Sequence, residues 1–383
     1  MGAMKPQQQD TIPVTTLAKA RRIVVKVGSA MLVDDEGRLR RGWLDGMAVD
    51  LATQRTAGRD LIVVSSGAIA LGRAALGLGQ GDLRLEQAQA AAAVGQTRLA
   101  RAWEEALAAH DQSTAQVLMT LDDTHNRRRY LNGKATLEAL LGHGLVPVVN
   151  ENDTVATDEI RYGDNDRLAA RVALMAAADV VVLLSDVDGL YTANPREDGG
   201  AVHIPAVAEI TPEIEAMAGG AGSLRAKGGM RTKIQAAKTA VQGGCTLAIT
   251  RGDVERPLSA LGNGALATWF HPRGTPAAAR KQWIAGMKPC GTIVVDDGAT
   301  AALLRGSSLL PAGVLRVEGR FQRGDPVAIV GETASAIGAG LAGYNAVEAN
   351  AIAGIRTDRI ADVLGYPARA ALVHRDDLVI WGK

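Results

Sequence analysis

Two short segments near the start of the chain place residues that can bind phosphate at the ends of predicted strands. Lys26 lies near the end of the first apolar run and is followed by Gly28, while the second apolar run leads into Ser65-Ser66-Gly67-Ala68. A lysine at a strand end can reach a phosphoryl group, and a glycine beside it lets backbone N–H groups approach that group closely. The helix expected after Ser66 would present its N-terminus, which favours an anion. Taken singly, Lys26 also fits a surface lysine beside a turn glycine, and Ser66 also fits a helix N-cap.

Two polar clusters follow in the middle of the chain. The fourth predicted strand ends in Asn150-Glu151-Asn152-Asp153, and Gly163-Asp164-Asn165-Asp166 comes after a short gap. The carbonyl oxygens and carboxylates of these clusters could hold a substrate ammonium group and orient catalytic lysines. An Asx-turn loop followed by an aspartate N-cap is the alternative explanation.

The next strand ends are typical of a nucleotide site. Ser185 and Asp186 follow one strand, where the carboxylate can accept a hydrogen bond from a nucleotide. Further along, Lys227-Gly228-Gly229-Met230-Arg231-Thr232-Lys233 forms a basic loop that opens a helix, an arrangement suited to phosphates. A flexible loop with solvated basic side chains is the alternative. Because ligands of open parallel sheets bind beyond the carboxyl ends of the strands, the recurrence of such segments indicates one shared site.

The elements that must position these residues alternate along the chain. Short runs rich in Val, Ile and Leu alternate with alanine-rich stretches of helical period, which is typical of βα units around a buried parallel sheet. The expected fold class is therefore α/β, a mostly parallel, doubly wound sheet sandwiched by helices. The predicted strands are 23–27, 61–65, 116–119, 145–149, 180–184 and 246–250, and the predicted helices are 44–57, 85–109, 129–141, 167–177 and 230–241.

The pattern changes after residue 270. His271-Pro272-Arg273-Gly274-Thr275-Pro276 is typical of a linker, and short β-like segments at 291–296, 314–318 and 326–330 follow it. We expect a disordered segment with a tag-like start at 1–20, an α/β domain at 21–270, a linker at 271–287, a small β-rich domain at 288–370 and a C-terminal segment at 371–383.

The composition argues against several classes of protein. The 383 residues include 42 Lys plus Arg and 41 Asp plus Glu, a formal net charge of +1, so a strongly basic nucleic-acid binder is not expected. Cys245 and Cys290 are too few for a disulfide scaffold and show no metal-site spacing, so we expect a cytoplasmic location. No apolar run approaches the roughly 18 residues that a membrane span needs, so a membrane protein is not expected.

Seven segments, taken in order, resemble those of the glutamate 5-kinases of the amino acid kinase family. The likeness extends over nearly all of the chain from the first predicted strand onward. The last part, with Val295-Asp296-Asp297-Gly298-Ala299 and Gly306-Ser307-Ser308-Leu309-Leu310-Pro311, resembles the PUA domain that many bacterial members carry. The seven segments are Val25-Lys26-Val27-Gly28-Ser29, Val64-Ser65-Ser66-Gly67-Ala68-Ile69-Ala70, Ala93-Val94-Gly95-Gln96, Val149-Asn150-Glu151-Asn152-Asp153, Gly163-Asp164-Asn165-Asp166, Gly189-Leu190-Tyr191 and Gly228-Gly229-Met230.

The resemblance implies an amino acid kinase fold with an added β-rich PUA domain. It also implies transfer of the γ-phosphoryl group of ATP, the co-substrate used with Mg²⁺, to the γ-carboxylate of L-glutamate, the first step of proline synthesis. By position, Lys26 and Lys233 would stabilise the transferred group and Asp166 would orient both lysines. No protein residue is expected to hold the metal, which the nucleotide would carry. Ser66, Asp153 and Asn165 would bind glutamate, and Lys26, Ser185, Asp186, Lys227, Gly228, Gly229, Met230, Arg231, Thr232 and Lys233 would bind ATP.

The resemblance further implies proline as a feedback inhibitor, a homo-oligomer (dimer or tetramer) and a glutamyl phosphate reductase as a partner. Ala226-Lys227 stands where members commonly have Gly-Thr, and Ser185 stands where threonine is usual. Two alternatives stay open, namely an amino acid kinase acting on acetylglutamate, aspartate or a nucleoside monophosphate, and an RNA-binding protein that uses the tail. Residues 288–383 include ten Lys plus Arg and ten Asp plus Glu, a poor electrostatic footprint for RNA.

Overall fold

The chain folds into two compact units. The computed structural model describes residues 12–79, 81–155, 164–218, 229–333 and 335–381. The first unit comprises Met1–His125 and Gly133–Pro276, and the second comprises Asn126–Asn132 and Ala277–Lys383. Each unit has its own sheet and its own hydrophobic core.

The first unit is built around a mostly parallel sheet. Within the described residues, eight strands form this sheet in the order β3-β4-β2-β1-β5-β9-β10-β8, and β6 pairs with β7 in a separate hairpin. Only β9 and β10 pair in antiparallel fashion within the larger sheet. The central strands are buried along nearly their whole length, as expected for a sheet with helices on both faces. The strands are β1 (Arg22–Val27), β2 (Asp60–Ser65), β3 (Thr114–Met119), β4 (Val146–Glu151), β5 (Val180–Ser185), β6 (Leu190–Tyr191), β7 (His203–Ile204), β8 (Ala206–Val207), β9 (Thr246–Arg251) and β10 (Ala267–Phe270).

Helices from the intervening segments pack on this sheet. Leu44, Leu51 and Trp103 are fully buried in the same core as the apolar side chains of the strands. The indole N–H of Trp103 donates a hydrogen bond to the Ser65 hydroxyl over 2.9 Å, which satisfies two buried polar groups at the end of one strand. The helices before residue 270 are α1 (Ile12–Lys19), α2 (Ser29–Leu32), α3 (Arg41–Thr56), α4 (Ala68–Ala75), α5 (Leu85–Ala108), α6 (Leu121–His125), α7 (Arg127–Gly142), α8 (Asp164–Met175), α9 (Pro212–Met217), α10 (Met230–Gln242) and α11 (Pro257–Gly262).

Helices α4 and α5 approach each other more closely than side chains would allow. A Cβ atom added at Gly95 would lie 1.7 Å from the carbonyl oxygen of Ala68, and one added at Gly72 would lie 1.8 Å from the carbonyl oxygen of Ala91. Real Cβ atoms do not make such contacts, so glycine at both positions lets the two backbones touch. This contact holds the middle of α5 against the segment that directly follows β2.

The second unit contains a smaller, mainly antiparallel sheet. Its five described strands lie in the order β12-β11-β13-β14-β15, and only β11 and β13 run parallel. Ile293, Phe321 and Ile329 are among the buried side chains of its core. The strands are β11 (Gly291–Val295), β12 (Val314–Gly319), β13 (Pro326–Gly331), β14 (Ala336–Leu341) and β15 (Leu378–Ile380), and the helices are α12 (Pro276–Ala285), α13 (Asp297–Leu304), α14 (Ala346–Ala351) and α15 (Ile360–Leu364).

The fold class predicted from the sequence is confirmed. The six predicted strands of the first unit each end within two residues of the prediction, and the antiparallel β10 is an addition that the sequence analysis did not predict. Among the described helices, none is both long and apolar enough to cross a membrane.

Three elements lie in segments that we expected outside the two domains. Residues 12–19, expected within the disordered segment, form α1, and the following Ala20 is buried in the first core, whereas residues 1–11 lie outside the described part of the chain. Most of the expected linker forms α12, whose Ile284 is fully buried in the second unit. The expected C-terminal segment contributes β15, where Leu378 is part of the second core. In each case an apolar side chain in or directly after the element is buried.

Candidate active site

Lys26, Asp166 and Lys233 form a buried cluster of ion pairs. Lys26 is the penultimate residue of β1, Asp166 lies in the first turn of α8, and Lys233 lies in the first turn of α10. The Nζ atom of Lys26 is 2.6 Å from Oδ1 of Asp166, and the Nζ atom of Lys233 is 3.1 Å from Oδ2. Lys26 is 8% exposed, Lys233 7% and Asp166 0%. The structure therefore brings together the three residues for which the sequence analysis predicted catalytic roles.

The charges of this cluster keep the central carboxylate ionised. Burial by itself would raise the pKa of Asp166, but the positive charges of Lys26 and Lys233, and the hydrogen bonds from them, outweigh burial and hold the pKa below its ordinary value. The hydroxyl oxygen of Thr232 lies 3.1 Å from the same Oδ2 atom. One carboxylate thus faces two ammonium groups, so the cluster keeps a positive charge that suits a phosphoryl group.

The sheet order explains why these residues meet. Strands β4, β2, β1 and β5 are neighbours, and since they run parallel their carboxyl ends lie along one edge of the sheet. Gly28 lies beside the Lys26 ammonium group, since a Cβ atom added there would lie 3.7 Å from Nζ, in ordinary van der Waals contact. Gly67 has a φ of 108°, a left-handed conformation that favours glycine, and it is the N-cap of α4, which begins at Ala68.

A chain of hydrogen-bonded amides lies next to the ion pairs in sequence, since Asn165 precedes Asp166 on α8. The Nδ2 group of Asn165 donates to the hydroxyl of Ser66 over 2.7 Å and to Oδ1 of Asn150 over 3.2 Å. The Nδ2 group of Asn150 in turn donates to Oε1 of Gln96 over 2.6 Å. The Oδ1 atom of Asn165 is buried and has no hydrogen-bond partner among the described residues. An acceptor left in this way fits a donor group of a substrate, such as an ammonium group.

For the predicted substrate residues, the structure gives a direct contact between two of them and only the position of the third. Ser66 and Asn165 are joined directly by the hydrogen bond between their side chains. Asp153 is buried in the turn that follows β4. Asn150, which was part of a predicted polar cluster without a role of its own, joins the group as the partner of Asn165.

The predicted nucleotide residues are described only in part. Ser185 is buried at the end of β5, and its hydroxyl donates to Oδ1 of the exposed Asp186 over 3.0 Å. Gly229 is the N-cap of α10, and among the described residues no side chain caps this helix end. The N–H group of Thr232 donates to the carbonyl oxygen of Gly229, and the N–H groups of Met230 and Arg231 give this end of the helix the character of an anion site. Met230, Arg231 and Thr232 form the first turn of α10 with Lys233. Lys227 and Gly228 lie outside the described residues.

Two contacts of the site were not predicted from the sequence. The family resemblance implies only an ATP contact for Thr232, yet its hydroxyl oxygen lies beside the carboxylate of Asp166. Gln96 belongs to the segment Ala93-Val94-Gly95-Gln96 that carries the family resemblance, which implies no role for it, and its contact with Asn150 spans 54 residues of sequence. A contact at this separation has no local pattern that could reveal it, although the motif itself marked the position.

Comparison with known proteins agrees with this fold. The model of the amino acid kinase family matches residues 21–251, and the model of the PUA domain matches residues 291–364. The chain therefore belongs to the amino acid kinase family.

Curated relatives show which members of this family the chain is similar to. The chain is 64% identical to glutamate 5-kinase from Dinoroseobacter shibae, over 96% of this chain and 100% of the relative. It is 61% identical to glutamate 5-kinase from Paracoccus denitrificans, over 95% of this chain and 98% of the relative. Among solved structures, carbamate kinase from Giardia lamblia bound to AMP-PNP matches at 17% identity with a TM-score of 0.47, over 67% of this chain and 99% of that chain.

Proposed function

We propose that the protein is an ATP-dependent kinase that transfers the γ-phosphoryl group of ATP to the γ-carboxylate of L-glutamate. The product would be L-glutamyl 5-phosphate, the acyl phosphate with which proline synthesis begins. The observation that carries this proposal is the buried Lys26–Asp166–Lys233 cluster. Asn165, which precedes Asp166 on α8, and Ser66, which directly follows β2, are joined by a hydrogen bond and have side chains suited to an amino acid substrate. The curated relatives that match almost the whole chain support the choice of glutamate as the acceptor.

The reaction requires positioning and charge stabilisation more than proton transfer. The γ-carboxylate has an ordinary pKa of about 4.3, so it is already ionised at neutral pH and needs no general base. One of its oxygens forms a bond to the γ-phosphorus of ATP, the bond from that phosphorus to the bridging oxygen breaks, and ADP leaves with the electron pair. Lys26 and Lys233 stabilise the negative charge on the transferred group, as positioned cations do in phosphoryl transfer. Asp166 is a positioning residue that fixes both ammonium groups.

Substrate and nucleotide would occupy neighbouring parts of the same sheet edge. In this proposal Ser66, Asp153 and Asn165 bind glutamate, and the unpartnered Oδ1 atom of Asn165 accepts a hydrogen bond from the substrate ammonium group. Ser185 and Asp186 bind the nucleotide at the end of β5. The phosphates lie at the N-terminus of α10, against the segment Lys227, Gly228, Gly229, Met230, Arg231, Thr232 and Lys233.

Mg²⁺ would enter the site with ATP. Among the described residues no group of three His, Cys, Asp or Glu side chains could hold a metal ion, and the Asp166 carboxylate is already occupied by two lysines. This donor set does not form a protein cage for Mg²⁺. The ion commonly keeps several waters and binds through substrate phosphates, which fits a metal carried by the nucleotide.

The proposal is tested by an acceptor panel. The purified protein is incubated with MgATP, hydroxylamine and one of L-glutamate, acetylglutamate, aspartate or UMP, and both ADP and hydroxamate are measured. We expect hydroxamate with glutamate alone, because hydroxylamine traps an acyl phosphate. Hydroxamate with another carboxylate, or ADP release with UMP, would assign the chain to a different acceptor, and no product with any acceptor would overturn the kinase proposal.

Regulation and assembly are also part of the proposal. We expect feedback inhibition by proline, which a proline arm of the same assay measures, and a dimer or tetramer, which sedimentation measures. We further propose that a glutamyl phosphate reductase consumes the labile product, that residues 21–270 and 288–370 act as the kinase and PUA domains, and that the protein is cytoplasmic. RNA binding by the tail is not expected, and a gel shift at low salt would contradict that expectation.

A further inference from the structure

Gln96 reaches the candidate site although it lies on a helix that carries none of the predicted site residues. It is a half-buried residue in the middle of α5, directly after Gly95. The close contact of α5 with α4 at Gly95 brings this part of the helix against the segment after β2, where Ser66 lies. The side chain of Gln96 then meets Asn150 near the end of β4.

The donors and acceptors of the amide chain fix one another. Each carboxamide has a donor end and an acceptor end, so a partner at one end decides where the other end points. The Oε1 atom of Gln96 accepts from Nδ2 of Asn150, which leaves the Oδ1 atom of Asn150 to accept from Asn165. With its Nδ2 group engaged by Asn150 and Ser66, Asn165 presents Oδ1 as its free acceptor among the described residues.

We propose that Gln96 is a positioning residue that determines recognition of the substrate ammonium group. This inference rests on the proposed glutamate kinase activity and adds a specificity residue to it. Gln96 holds the Asn150 amide in one orientation, and Asn150 holds the Asn165 amide with its carbonyl oxygen toward the substrate. If the Asn150 amide rotates by half a turn, its NH₂ group faces the NH₂ group of Asn165, and Asn165 then turns its own donor toward the ammonium group. Two donors facing each other do not bind, so recognition of the amino group is lost.

Three substitutions at position 96 separate the acceptor role from packing. Gln96→Glu keeps an oxygen that can accept from Asn150, so we expect a KM for glutamate within about threefold of wild type, the range expected when a hydrogen bond is retained. Gln96→Met has a similar length but no acceptor of comparable strength, and we expect it to raise this KM at least about tenfold, as for the loss of a hydrogen bond to a charged group. Gln96→Lys offers only donors to Asn150 and should have at least as large an effect. Thr97→Val, at an exposed neighbouring position, is the matched control and should behave as wild type.

The readouts distinguish recognition of the amino group from a general structural defect. Hydroxamate formation gives KM for glutamate and for ATP, and glutarate, which lacks only the amino group of glutamate, serves as a competitor. We expect the Gln96→Met and Gln96→Lys variants to keep the wild-type KM for ATP and the wild-type inhibition constant for glutarate while KM for glutamate rises. Circular dichroism and thermal unfolding check that each variant is folded.

Several results would overturn this inference. If both variants bind glutamate as wild type does, or weaken glutamate and glutarate by the same factor, Gln96 does not act through the ammonium group. A Gln96→Glu variant no better than Gln96→Met would also contradict the acceptor role, and Gln96→Lys supplies the comparison should Gln96→Met fail to fold. Absence of hydroxamate from the wild-type protein is a different outcome, which overturns the proposed function and with it this inference.

Discussion

Replacing Asp166 with asparagine removes the only carboxylate that faces both buried lysines among the described residues, and we expect it to lower both stability and catalysis. The wild-type distances of 2.6 and 3.1 Å correspond to gross attractions of about 6 and about 5 kcal/mol at an effective dielectric constant of about 20. Desolvation of the three groups offsets much of this attraction. Removing one partner of a buried ion pair nevertheless costs about 3–5 kcal/mol, because a charge is left buried without compensation.

The assay for this prediction is equilibrium urea unfolding followed by circular dichroism, together with hydroxamate formation. We expect Asp166→Asn to lower the free energy of unfolding by about 3–5 kcal/mol and to abolish most activity. The combined variant Lys26→Met/Asp166→Asn/Lys233→Met leaves no buried charge in the cluster, so it should recover at least about 2 kcal/mol of that loss while remaining inactive. A combined variant less stable than Asp166→Asn, or an Asp166→Asn variant as stable as wild type, would refute the reasoning.

The pH dependence of this stability difference provides a second check. The pKa of Asp166 in the folded protein lies below its ordinary value of 3.8, so its contribution to stability is fully present above that value and is lost as the pH falls through the folded pKa. The difference between wild type and Asp166→Asn should therefore be constant between about pH 5 and 8 and shrink only below about pH 4. A difference that changes near neutral pH would show that another group titrates with the cluster.

Three further predictions concern catalysis, helix packing and thiol reactivity. Lys233→Ala should lower kcat by about 10²–10³-fold, as for the loss of one group that stabilises charge in the transition state. The change in KM for glutamate should be much smaller, and unchanged turnover would contradict the role of Lys233. Gly95→Ala forces α4 and α5 apart and should lower the free energy of unfolding by at least about 1–3 kcal/mol. Gly142→Ala is the control, since nothing lies within 4 Å of the added Cβ, and it should leave the urea midpoint near wild type. Burial raises the pKa of the Cys245 thiol, so Ellman's reagent should titrate only the exposed Cys290 in the native protein and both thiols after denaturation. Two rapidly reacting thiols in the native protein would contradict the burial of Cys245.

Much of the site could be predicted because its residues follow apolar strands in the sequence. Lys26 and Ser66 each stand at the end of a run of buried β-branched or aliphatic residues, and parallel strands carry their carboxyl ends to one edge of the sheet. The polar cluster around Asp166 precedes the predicted helix 167–177, and its amide and carboxylate groups predicted a binding role for it. Local composition therefore predicted both the class of fold and the edge of the sheet at which the candidate site lies.

The partners within the site could not be predicted in the same way. Several carboxylates follow the strands, and no local pattern distinguishes Asp166 among them; the family resemblance singled it out. The packing of α8 against β1 and of α10 against α8 then places Asp166 between two lysines. Thr232 and Gln96 entered the site through contacts that join residues far apart in sequence. The short strand β15 and helix α12 have little periodic pattern, and the burial of Leu378 and Ile284 decided their place in the second unit.

The sequence by itself determined the alternation of strands and helices, the two-unit organisation and the residue types available at the sheet edge, because hydrophobic period and turn chemistry are local properties. Apart from the contacts of Asp166 with the two lysines, which the family resemblance implied, the tertiary structure alone decided which donor meets which acceptor. Hydrogen bonds and ion pairs depend on distances of about 3 Å, and such distances between remote residues are set by how closely helices and strands pack. At Gly95 and Gly72 that packing brings two backbones into contact, and it is this contact that places Gln96 beside Asn150.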